Sequence, residues 1–132
     1  MAINDLTADM LTRIRNAVRN RASSVSVISN KLNRGIVTVL QEEGYIISSE
    51  LVDDGRQGLI RIKLKYGPRG EQVINQIDLV SKCGRRVYNG VSELPRPMQG
   101  LGICIVSTSH GVMSDRRCRT EQVGGEVVAL VS

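Results

Sequence analysis

The sequence predicts an α+β protein built as two small lobes, with an aliphatic core and helices packed on short, mostly antiparallel sheets. Three observations carry that prediction. Apolar residues recur at helical spacing in two early segments, residues alternate in a later run, and a glycine- and proline-bearing break divides the 132 residues near the middle. Apolar residues make up 41% and charged residues 23% of the chain, the balance of a folded domain. With no Trp, no Phe and three Tyr, the interior has to be filled by Val, Ile and Leu.

In the first lobe, taken as residues 1–66, Asp5 is placed to cap a helix reaching about Arg21. Leu6, Met10, Ile14 and Val18 recur along one face, and Leu11 and Ala17 widen it. Arg13, Asn16 and Arg19, with Arg15 beside them, then make a polar and basic outer face. Val25-Ser26-Val27 reads as a short strand. Ser29 is expected to open a second helix that buries Leu32, Ile36, Val39 and Leu40 and stops at Gly44. Tyr45 to Val52 and Leu59 to Tyr66 form a hairpin about the turn residues Asp53-Asp54-Gly55 and Gln57-Gly58. In its second arm Ile60, Ile62, Leu64 and Tyr66 alternate with Arg61, Lys63 and Lys65.

Gly67-Pro68-Arg69-Gly70 marks the boundary with a second lobe, residues 67–132. Strands are expected near 73–80 and 86–89 and at Ile103-Cys104-Ile105-Val106. A broken helical turn spans Ser92 to Gln99, with Pro95 and Pro97 inside it. A loop at 107–111 follows, then a helix from Asp115 to about Gln122 capped by Ser114 and ended by Gly124-Gly125, and a last strand from Glu126 to Val131.

Charge narrows the choice of partner. The formal net charge is +5, but it is uneven: +4 over residues 1–34, −2 over 35–81, +5 over 82–119 and −2 at the end. Two basic regions flanking an acidic one suit a polyanion, and nucleic acid rewards each phosphate contact by counterion release. No apolar run is long enough for a bilayer, and Asp5 and Asp9 interrupt any export signal, so the expected location is cytoplasmic. One histidine and three cysteines without a CxxC pair leave a structural zinc site short of ligands, no cofactor is expected, and the thiols are expected to be free and mostly buried.

Ser107, His110 and Asp115 have the residue types of a hydrolase triad, but they crowd into one short segment without a nucleophile elbow. Gly100-Leu101-Gly102 precedes a strand, where a dinucleotide fingerprint follows one. The more informative run is Ser107-Thr108-Ser109-His110-Gly111. Adjacent hydroxyls both donate and accept, so they can meet base edges, riboses or phosphates without aromatic stacking, and Gly111 allows close approach; an ordinary polar turn is the alternative. Arg116, Arg117 and Arg119 would add phosphate contacts from the next helix.

An ordered series of motifs runs through nearly the whole chain. It comprises residues 5–17, Glu42-Glu43-Gly44-Tyr45-Ile46, Glu93-Leu94-Pro95, Gly100-Leu101-Gly102-Ile103, Ser107 through Asp115, and Gly124-Gly125-Glu126. In these the chain resembles the family of the eighth protein of the bacterial small ribosomal subunit. The resemblance implies a non-enzymatic structural protein without cofactors that binds a stem in the central domain of small-subunit ribosomal RNA, mainly through its second lobe. It implies RNA contacts at Ser107, Thr108 and Ser109, with Gly111, Gly124, Gly125 and Glu126 bordering them, at Tyr88, and at Thr7, Arg13, Asn16 and Lys31 in the first lobe. It implies neighbouring small-subunit proteins as partners, and for some members a stem in their own operon messenger RNA. His110 departs from the usual Lys or Arg, Cys83 from a usual proline, and the segment Asn89-Gly90-Val91-Ser92 is less basic than is typical of the family.

Overall fold

In the computed structural model the chain is described over residues 3–82 and 84–132, with side chains from Leu6 onward. Helix α1, Ile3–Arg19, leads into β1, Ser24–Ile28, and helix α2, Lys31–Glu42. Strands β2, Ile46–Val52, and β3, Leu59–Leu64, follow. The second half holds β4, Ile77–Leu79, β5, Tyr88–Asn89, and two 3₁₀ turns at Val91–Glu93 and Pro97–Gly100. It closes with β6, Ile103–Thr108, β7, Gly111–Ser114, helix α3, Asp115–Glu121, and β8, Gly125–Val131. This is the α+β class the periodicities predict.

Two antiparallel sheets result. β1, β3 and β2 form one, in that order, and β4, β8, β6 and β7 form the other, with β5 also paired to β8. Met10, Leu11, Ile14 and Val18 of α1 and Ile36, Val37, Val39 and Leu40 of α2 are buried. They join Ile60 and Ile62 of the first sheet and Ile103, Ile105, Val128 and Val131 of the second in one apolar cluster, so the interior crosses the Gly67–Gly70 connection. A smaller cluster of Leu94, Cys104, Val106, Met113, Cys118 and Val127 seats α3 on the other face of the second sheet.

Several boundaries differ from expectation. α1 begins at Ile3, so Asp5 sits inside its first turn; the capping role assigned to the Asp5 side chain lies outside the described residues. α2 is capped by Asn30, not Ser29, because the Asn30 side chain accepts from the Asn33 amide at 2.7 Å. Its end is as read: Gly44, at φ +82°, lets the amides of Gly44 and Tyr45 turn back to the carbonyls of Gln41 and Leu40. β4 is shorter than 73–80 because its partner β8 runs out; the amides of Asn75 and Gln76 bond instead to the Ser132 carbonyl. The predicted loop at 107–111 is a hairpin. Ser107 and Thr108 belong to β6, and β7, which the sequence did not reveal, returns at Gly111. α3 keeps its Ser114 cap but ends at Gln122 in the left-handed region, before Gly124-Gly125.

Cys104 and Cys118 are free and buried, and Cys83 lies outside the described residues. Burial, with Asp115 adding to it, pushes the Cys104 thiol up to about 12; burial also raises Cys118. A raised thiol pKa favours the neutral form in the fold. That contribution to stability holds below the unfolded thiol value and is lost as pH climbs toward about 12. Alkylation at pH 8 followed by peptide mass mapping should therefore leave both thiols unmodified in the native protein and modify both in denaturant. Native labelling of either would contradict the packing described.

Candidate nucleic-acid interface

The bifacial burial of β6 fixes where its polar end emerges. Ile103 through Val106 are fully buried, and Ser107 and Thr108 come next as the strand leaves the core. Ser107 stands opposite Glu126 of β8 on one side and Val112 of β7 on the other, while Glu126 stands opposite Tyr88 of β5. Directly opposed residues share a sheet face. The row Tyr88, Glu126, Ser107, Val112 therefore lies side by side across four strands.

α2 covers this face only in part, and its first turns form the facing wall of a groove of about 480 Å³. Lys31, Leu32 and Gly35 line it from α2, and Arg86, Ser107, Ser109 and Glu126 line it from the second half. The helix comes close because residue 35 is glycine: a Cβ there would lie 2.7 Å from the Val112 side chain. The groove has an apolar floor of Leu32, Val112 and Val128 and a polar rim, the arrangement expected of a recognition site.

The rim groups differ in what they have left to offer. Thr108 Oγ1 donates to the Gly111 carbonyl at 2.7 Å and accepts from the His110 amide at 3.0 Å, so it stiffens the hairpin. The hydroxyls of Ser107 and Ser109 make no hydrogen bond among the described residues and are available to a ligand. Lys31 is exposed at the start of α2 and forms no ion pair among the described residues. Glu126 accepts from Arg86 at 3.1 Å through one oxygen, which fixes its orientation and partly offsets its charge. Tyr88 stands out from the end of the row, 68% exposed.

The bordering glycines are explained by close approach. A Cβ on Gly125 would lie 2.3 Å from the Ser107 carbonyl, and one on Gly124 would lie 2.5 Å from that of Asn89. Gly111, at φ +111°, has open space beside it, so the hairpin rim stays clear.

Six of the twelve residues named from the sequence thus meet at the groove: Lys31, Ser107, Thr108, Ser109, Gly111 and Glu126. Tyr88, Gly124 and Gly125 adjoin it through strand pairing and backbone contact. Arg13 and Asn16 lie elsewhere, on the outer face of α1, where Arg13 pairs with Asp9 at 2.7 Å. The expectation that Thr7 touches RNA directly meets a side chain with no exposed surface. Its hydroxyl donates to Asn33 at 2.9 Å and so ties α1 to α2.

The arginines of α3 lie away from the groove. The helix packs on the opposite sheet face from the groove, and its cations are engaged: Arg116 with Glu43 and the Gly100 carbonyl, Arg117 with Glu121, and Arg119 with Asp115. Arg86 is the groove residue that sequence reasoning missed. Its place two residues before Tyr88 in a strand-like run was the available signal.

The triad geometry is not assembled. Asp115 is buried, with its oxygens taken by the Cys104 amide and Arg119, and the His110 side chain bonds to neither Asp115 nor Ser107 among the described residues. Among the described residues no group of three or more His, Cys, Asp or Glu is placed to hold a metal ion, and no helix is long and apolar enough to cross a membrane.

Comparison with known proteins agrees with the motif series. The chain is 51% identical to small ribosomal subunit protein uS8 of Caldicellulosiruptor bescii over 131 residues, 99% of each chain. It is 49% identical to the protein of that name from Acetivibrio thermocellus and 45% identical to the one from Streptococcus suis, again over 99% of each chain. The sequence profile described as Ribosomal protein S8 matches residues 5–132, and the chain belongs to that family.

Proposed function

We propose that the protein is a cytoplasmic, non-enzymatic constituent of the small ribosomal subunit that holds a stem in the central domain of 16S ribosomal RNA during subunit assembly and translation. The observation that carries this reading is the groove. It sets two hydroxyls and a lysine that have no partner among the described residues, with an oriented carboxylate, on a stiff hairpin and a helix start, in a chain of the S8 family. Residues 67–132 act as the main RNA-binding lobe. Ser107 and Ser109 meet base or ribose edges, Lys31 meets phosphate, Glu126 accepts from an amino group or a 2′-hydroxyl, and Tyr88 packs on a sugar or base. Arg13 and Asn16 supply a separate contact from α1. A stem in the operon messenger that imitates this RNA would be held by the same groups, and neighbouring small-subunit proteins cover other faces.

A titration against the central-domain RNA and a scrambled stem of equal length tests the reading. A site reader prefers the first by ~10³-fold or more, the ratio known for specific DNA readers; equal binding overturns the proposal. Ser107→Ala with Ser109→Ala should cost about tenfold in affinity, as two lost hydrogen bonds, with no change in urea midpoint. His110→Ala should change affinity by less than about twofold, since imidazole is a peripheral group here. His110→Lys tests electrostatics directly. At pH 8 the log–log salt dependence of binding should steepen by about 0.7–0.9 if the new ammonium meets a phosphate, and identical slopes would show that position 110 meets none.

A further inference from the structure

The helices pack on one face of the β1–β3–β2 sheet, and among the described residues nothing covers the other. On that face Ser24, Lys63 and Ser48 stand in one register row, and Ser26, Arg61 and Glu50 in the next. Ser23, Ser24 and Ser48 join Glu50, Arg61 and Lys63 around a shallow groove of about 410 Å³. The hydroxyls of Ser23, Ser24, Ser26 and Ser48 make no hydrogen bond among the described residues. Lys63 makes no ion pair there, and short serines flank it on both sides. Threonine would serve an exposed strand better; serine keeps the hydroxyl while leaving the backbone open to close approach.

The stretch 35–81 is acidic in sequence, yet this face is positive. Asp53 and Asp54 bind the amides of the hairpin turn, Glu43 pairs with Arg116, Glu71 accepts from the Arg69 amide, and Asp78 lies beside Arg15. Glu42 sits in the last turn of α2. Only Glu50 stands among the cations, held by Arg61 at 3.4 Å. Lys65, exposed two residues beyond Lys63, has its ammonium near Gly44 at the end of α2.

We propose that the uncovered face of the three-stranded sheet is a second RNA contact, in which Lys63, with Arg61 and Lys65 beside it, meets a phosphate backbone whose oxygens and riboses bond to the serine hydroxyls at 23, 24, 26 and 48. The inference rests on the RNA reading above, but it concerns a different surface and a different RNA segment from the groove. Alternate residues of β3 place its cations about 6.8 Å apart, so one extended strand of RNA can be followed along it.

The test uses the full chain with two probes, the isolated stem and the whole central-domain transcript. Lys63→Gln with Lys65→Gln should leave stem affinity within about twofold. It should lower affinity for the transcript about tenfold and make its salt dependence shallower by about 1.4–1.8. Ser24→Asp, which sets a carboxylate beside Lys63, should reproduce the selective loss, and circular dichroism of each variant controls for folding. Unchanged binding to both probes, or equal loss on both, overturns the proposal. So does normal binding to both RNAs with loss only of incorporation alongside other ribosomal proteins, which would assign the face to a protein. The Ser107, Ser109 double variant run in parallel separates the two readings, because failure of the groove appears on the stem and failure of the sheet face only on the transcript.

Discussion

Gly125→Ala is expected to lower stability by about 1–3 kcal/mol and to reduce affinity for the central-domain RNA far more than any single rim substitution. The added Cβ would sit 2.3 Å from the Ser107 carbonyl and 3.2 Å from the Thr108 Cα, and both are backbone atoms. A flexible side chain could swing aside; a strand cannot. β6 and β8 would have to separate where Ser107 faces Glu126, so the row that builds the groove is displaced as a unit. Urea denaturation with an unchanged m-value would read the stability loss, and an RNA titration well below the midpoint would read the second effect. Native affinity in a destabilised variant would mean that the spacing of these strands does not matter to binding.

Asp115→Ala should destabilise the fold more, by about 3–5 kcal/mol. The carboxylate is 2% exposed and does two jobs at once. One oxygen accepts from the Cys104 amide at 3.0 Å, the other pairs with Arg119 at 2.5 Å, and Arg119 in turn donates to the carbonyls of Leu94 and Pro95. Alanine leaves a buried N–H without an acceptor and a guanidinium without its counter-charge, in the cluster that seats α3. Asp115→Asn keeps an acceptor for the Cys104 amide and loses only the charge, so its midpoint should fall between those of wild type and alanine. Equal losses for Asn and Ala would show that the ion pair, not the amide bond, carries the effect.

Elements with one wet face were legible in the sequence, because water imposes a period. α1, α2 and β3 could be read from residues 6–18, 32–40 and 60–66, where polar residues mark the outside of each turn or pleat. Strand β6 is buried on both faces, so no alternation marked its end, and the reading placed Ser107 and Thr108 in a loop. β7 was hidden for a related reason: it is four residues long, and its identity comes from pairing with β6, not from its own pattern. The hydroxyl run pointed to the groove rim, which Ser107 and Ser109 line with hydroxyls that make no hydrogen bond among the described residues. That Thr7 is interior and that Arg86 holds Glu126 depend on contacts between residues distant in sequence, which no local spacing records, and Thr108 is spent within a hairpin whose second strand the sequence pattern did not mark.

The apolar cluster that runs from α1 and α2 into β6 and β8 has a bearing on the groove, whose two jaws come from different halves of the chain. With Gly35 pressed against Val112 and a common interior behind them, the jaws behave like those of a caliper locked at one setting. A ligand of the proposed site would be selected by width before any hydrogen bond forms, with little freedom lost by the protein on binding. Loosening either half would reset the gap for both, so the spacing of the rim is maintained by side chains that never meet solvent.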